Sequence, residues 1–135
     1  MGAWSPEPFG NDTACDWGWT VLETTDLSAI EAALDAVLDN GDEYLDSDLA
    51  SEAIAAIEII AKLMGKGTQT DGYTQDIDQW VASHPLVPSA SLLEKACAGI
   101  DRIQSKDSEL LELWQESGSQ AWKASLAELR AAVSA

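Results

Sequence analysis

The sequence predicts an all-α fold, a compact bundle of about six or seven helices. Apolar residues recur at helical spacing in successive segments, and no segment sustains period-two alternation. Gly, Pro, Asn, Asp and Ser clusters punctuate the chain between those segments. The chain has 135 residues and is 46% hydrophobic, enough for one domain over 1–135 with its own core and no disulfide or metal staple.

Residues 1–12 lack periodicity, and Pro6, Pro8, Gly10 and Asn11 keep them out of a helix. Trp4 and Phe9 are too large and apolar for a solvated tail, so an ordered arm pinned by its aromatics is expected. A first helix starts near Asp12 or Thr13, with Trp17, Val21 and Leu22 inward and Trp19 pointing elsewhere. Gly18 weakens it. Ser28 and Glu31 form a capping box for a second helix. Leu27, Ile30, Leu34, Val37 and Leu38 make its stripe, and Asn40-Gly41 ends it.

An acidic connector, residues 42–48, leads to a third helix over about 48–64, which Asp46, Ser47 or Asp48 can cap. That helix is apolar almost all round and should be central. Ser51, Glu52, Glu58 and Lys62 alone break its stripe. Glu58 and Lys62, one turn apart, read as an ion pair on its rim. Gly65, Gly67 and Gly72 flank a polar loop. A short helix over about 74–83 gathers Ile77, Trp80 and Val81, and His84-Pro85 ends it. Three further helices start near Ser89 or Ser91, near Asp107 or Ser108, and after Gly118. The helices could also pair off as a stack of hairpins, although no period of 20–50 residues repeats cleanly.

Few chemistries fit these residues. Gly65-Lys66-Gly67-Thr68 lacks the preceding strand and the spacing of a phosphate-binding loop. One histidine and two distant cysteines cannot make an ordinary zinc site. Cys15 and Cys97 read as free buried thiols. The acids from Asp39 to Asp48 miss the glycine and glutamate that a calcium loop requires. No serine sits in a nucleophile elbow. No catalytic residue, metal or cofactor is expected. Four of the six tryptophans, Trp17, Trp80, Trp114 and Trp122, fall inside apolar stripes as core candidates.

Charge carries more information. Residues 1–61 hold 14 acids and no Lys or Arg; residues 62–135 hold 10 acids and all 7 bases. The net charge of −17 makes nucleic acid and anionic membranes poor partners. No run of 18 apolar residues suggests a membrane span. The chain opens with neither a basic segment nor an apolar one, so a cytoplasmic protein is expected.

Gly2-Ala3-Trp4, Phe9, Asn11-Asp12, Ala14, Asp16 and Trp17 form an N-terminal string. It resembles the signature of the bacterial domain-of-unknown-function family 4259. The resemblance continues through Ser51-Glu52-Ala53 to Ile60-Ala61, then Ser108-Glu109-Leu110, Leu113-Trp114 and Trp122. The chain departs from it at Ser5-Pro6-Glu7-Pro8, before Phe9. The resemblance implies a small bacterial cytoplasmic protein and supplies no activity or catalytic residues. Physically, Trp4 and Phe9 serve as apolar plugs, Asn11 or Asp12 caps the first helix, and Asp16 accepts hydrogen bonds from the returning arm.

The leading expectation for function is a protein-binding module of the immunity or inhibitor type that docks a basic partner. The expected contacts are Asp35, Asp39, Asp42, Glu43, Asp46 and Asp48, with Tyr44 as the anchor among them. A self-associating scaffold and an enzyme with an unrecognised carboxylate site are the alternatives.

Overall fold

The computed structural model describes residues 5–134. Trp4, expected as a buried plug, lies outside them with residues 1–3. Seven helices follow in order: α1 (Asp12–Leu22), α2 (Ser28–Leu38), α3 (Ser47–Leu63), α4 (Gln75–Ser83), α5 (Ala90–Ile103), α6 (Glu109–Ser117) and α7 (Gln120–Val133). Among the described residues there is no strand, only an isolated parallel bridge between Leu45 and Ser108.

The apolar girdle of α3 dictates the architecture. Every residue from Ala53 to Lys62 is buried, and α3 touches all six other helices. The molecule is therefore a bundle around one central helix. A stack of consecutive hairpins does not describe it, because α5 packs mainly on α2 and α7 and not on the helices beside it in sequence.

Local signals set most helix ends. Asn11, not Asp12, caps α1: its Oδ1 accepts from Ala14 N at 2.8 Å. Asp12 sits in the first turn, where the helix dipole favours an acid. The capping box expected at Ser28 does not form. Asp26 takes both the amide and the hydroxyl of Ser28, at 3.0 and 2.6 Å, while Lys95 draws Glu31 away at 2.8 Å. Those hydrogen bonds hold the Asp26 carboxyl below its usual range. Gly65, at φ 75°, closes α3, with Gly65 N donating to Lys62 O and Lys66 N to Ala61 O. Ser89 caps α5 through Leu92 N.

The described part of the arm, residues 5–11, folds back on itself. Gly10 N donates to Glu7 O and Ser5 N to Gly10 O, forming a tight loop that seats Phe9 in the core. Phe9 packs over Gly18, where an added Cβ would lie 3.4 Å from its ring. Trp80 and Trp122 are buried as expected. Trp17 and Trp114 are half-buried against the core, and Trp114 stacks on Trp122. Cys15 and Cys97 are free, and they are half-buried instead of buried. Asp16 is exposed and accepts no side-chain hydrogen bond among the described residues.

The ridge Glu58–Lys62 departs most from the sequence reading. It is not a rim. The 65–74 loop folds back over it, and Glu58 has no exposed surface. Gly67 permits the close approach: a Cβ there would sit 2.6 Å from Lys62 Cγ. Glu58 Oε2 accepts from Thr68 N and Gln69 N, both at 2.8 Å, and Oε1 accepts from the Thr68 hydroxyl at 2.7 Å. Lys62 lies 3.6 Å from Glu58 but bonds more closely elsewhere, to Asp78 at 2.6 Å and to Gln69 O. Gln69 Oε1 in turn accepts from Phe9 N at 2.8 Å. A buried polar network thus ties α3, the loop, α4 and the arm together.

Candidate functional site

The connector between α2 and α3 carries the expected binding residues. Its backbone is held from outside. Arg102, on the last turn of α5, donates from Nε to Gly41 O at 3.0 Å and from Nη2 to Glu43 O at 2.6 Å. The same guanidinium bonds Lys106 O and Ser105 Oγ, each at 3.2 Å. It therefore bridges the connector and the α5–α6 turn. Leu45 completes the clamp: its N–H donates to Asp107 O at 2.7 Å, and its carbonyl accepts from Glu109 N at 2.9 Å. Leu45 itself is buried, so its neighbours Tyr44 and Asp46 are turned outward.

Tyr44 is 53% exposed, and its hydroxyl donates to Glu112 Oε1 at 2.8 Å. That bond, with the neighbouring acids, pushes the phenol up to about 12, because ionisation would set two anions against each other. Asp39, Asp42, Glu43, Asp46 and Asp48 are all exposed, and among the described residues none is ion-paired. Two of them also hold the fold. Asp46 caps α3 through Asp48 N at 2.7 Å, and Asp48 accepts from the Thr13 hydroxyl at 3.1 Å. Asp35 differs: it is half-buried and paired with Lys95 at 2.9 Å, which also binds Glu31. That double pairing holds the Lys95 ammonium above its usual range. The acidic half is therefore not wholly without bases. Lys95 and Lys62 reach it through space, and Arg102 lies against the connector while bonding carbonyls.

The folded chain adds acids that the linear reading left out. Glu109 accepts from Ser47 N at 2.8 Å, and Glu112 from Tyr44, so the start of α6 extends the same negative face. Glu52, one turn into α3, has its carboxyl pushed up by partial burial and by Asp48 and Asp46. Arg102, Glu109 and Glu112 lie some 60 residues away in sequence, and no local pattern points from them to the connector. Among the described residues, no three His, Cys, Asp or Glu side chains are gathered so as to hold a metal ion. Among the described residues, no helix is long and apolar enough to cross a membrane.

The family model described as a domain of unknown function, DUF4259, matches residues 2–125. The chain belongs to this family. The match spans the arm, the connector and all of α1–α6, so the whole acidic face of this DUF4259 protein lies within it. No curated protein and no solved structure matches the chain.

Proposed function

We propose that this DUF4259 protein is a docking module for a basic protein, of the immunity or inhibitor type, and that the connector face is its contact surface. One observation carries the reading. Five exposed carboxylates without an ion-pair partner among the described residues share the stretch 39–48 with an exposed tyrosine, on a backbone pinned by Arg102 and by the Leu45 bridge. A pinned loop loses little conformational entropy on binding. Unpaired surface acids raise the association rate of a basic partner, and a half-exposed tyrosine offers apolar area with a polar tip. Phosphate-rich partners are disfavoured by the same field.

The test is affinity capture from the native cell, identification of the bound protein by mass spectrometry, and surface plasmon resonance on the purified pair. Neutralising Asp39, Asp42 and Glu43 together (D39N/D42N/E43Q) should slow association about tenfold and flatten its salt dependence. Tyr44→Ala should mainly speed dissociation. Unchanged kinetics in both variants, or no specific capture at physiological salt, defeats the proposal.

A further inference from the structure

Trp19 and Tyr73 are the two most exposed aromatic side chains among the described residues, at 61% and 62%. Neither belongs to the connector face. They flank one small cavity of about 200 Å3 between α1 and the start of α4. Phe9, Gly18 and Ile77 make its apolar floor, and Asp76 supplies a carboxylate at its wall. A shallower cleft of about 430 Å3 continues from it along α4 and shares Trp19, Leu22 and Asp76.

Three properties select the occupant. The cavity is smaller than the 300–1,000 Å3 or so of sites for drug-sized ligands, and it suits a single side chain. Its lining combines aromatic residues with an aspartate, which is the chemistry that holds an organic cation. Its surroundings are negative. No Lys or Arg lines either concavity, and the Cys15 thiol in the wall is pushed up by burial first, then by Asp12, Asp16 and Asp71. A planar, weakly hydrated guanidinium stacks on aromatic faces better than an ammonium does. The shared cleft leaves room for the chain on either side of such a residue.

We propose that the Trp19–Tyr73 cavity is a receptor for an arginine side chain presented by an extended peptide segment of a partner protein. The guanidinium stacks against Trp19 and Tyr73 and is charge-matched by Asp76, while the flanking peptide lies along the cleft toward Trp80 and His84. This site shares no residue with the connector face and does not depend on it.

The probe is the tripeptide acetyl-Ala-Arg-Ala-amide, titrated into the isotopically labelled protein at 150 mM salt and followed by NMR. At that ionic strength, charges more than about 8 Å apart are largely screened, so general attraction to the acidic chain is suppressed. Saturable shifts at the Trp19 indole N–H and the Tyr73 amide are expected, with a millimolar dissociation constant. Trp19→Ala should weaken binding about tenfold. Asp76→Asn should weaken it about threefold. Trp19→Phe, which keeps an aromatic face, should bind between wild type and Trp19→Ala. Trp19 is exposed, so these variants should keep the wild-type spectrum elsewhere. The neutral isostere acetyl-Ala-citrulline-Ala-amide should not saturate, and the connector variant D39N/D42N/E43Q should bind the tripeptide within twofold of wild type. Equal binding by the citrulline peptide, or by the Trp19→Ala protein, overturns the proposal. Guanidinium chloride alone saturating as tightly as the tripeptide assigns the cavity to a small cation and overturns the peptide assignment. Trp19 shifts on diluting the free protein assign it to a second copy, with the same consequence.

Discussion

Replacing Glu58 separates what its shape contributes from what its charge contributes. In Glu58→Ala, the Gln69 amide loses its acceptor in a buried place, at about 1–3 kcal/mol. The Thr68 amide and hydroxyl lose theirs where water has some access, at about 1 kcal/mol together. Lys62 keeps Asp78 and Gln69 O but loses a nearby anion. The sum is about 2–4 kcal/mol, overlapping the 3–5 kcal/mol or so that follows removal of one partner from a buried pair. Glu58→Gln should cost only about 1 kcal/mol. Both amides converge on Oε2, where the glutamine carbonyl can sit. The Thr68 hydroxyl, which donates to Oε1, can turn over and accept from the new NH2. Urea unfolding followed by tryptophan fluorescence reads both values, with an unchanged denaturant slope as the control. Equal costs for the two variants, or a Glu58→Ala cost below about 1 kcal/mol, would refute this account of the network. The same comparison carries a pH signature. Burial, the largest influence, raises the Glu58 carboxyl above its unfolded value, against its hydrogen bonds and Lys62. The folded state then binds this proton more readily than the unfolded one. Stability contributed by Glu58 should rise as pH falls through its folded pKa and level off below its unfolded one. Between pH 7 and 4, wild type should gain stability relative to Glu58→Gln; a gap that shrinks on acidification would contradict it.

Gly18→Ala should stabilise the protein by about 0.5–1 kcal/mol in the same assay, since its Cβ meets Phe9 and Ile77 at ordinary contact distances and α1 gains helix propensity. Gly10→Ala should cost about 1–3 kcal/mol, because a Cβ there would lie 2.7 Å from Ser5 O and 3.0 Å from Glu7 O. In a Tyr73→Phe background, ultraviolet titration should find Tyr44 ionising near pH 12, and Glu112→Gln should bring it back toward 10.

The helices were legible because burial is written in the 3.6-residue period, and α3 announced its central place by lacking a polar face. Its one misread feature was also physical. Lys62 one turn beyond Glu58 is the pattern of an exposed pair, and nothing local reveals that a glycine loop will close over it. The connector acids were visible as a run, and Tyr44 within them. Their rigidity was not, because it comes from Arg102 and Glu109, whose side chains reach the connector only after α5 and α6 have docked. Asp35 was grouped with the connector by sequence proximity, yet it lies one helical turn back, where Lys95 claims it. The Trp19–Tyr73 cavity joins residues more than 50 positions apart, so composition showed two aromatics and no site.

A helix buried on every side from Ala53 to Lys62 has a consequence during synthesis. α3 is complete at Leu63, but α7, which covers part of it, ends only at Val133. At about 5–20 residues per second, those 70 residues take roughly 4–14 s to emerge. Through that interval Ile54, Ile57, Ile59 and Ile60 cannot all find their final neighbours, and the nascent chain presents a greasy rod to the cell. The dense negative charge of the first 61 residues is attached to that rod throughout, and like-charged nascent chains repel one another.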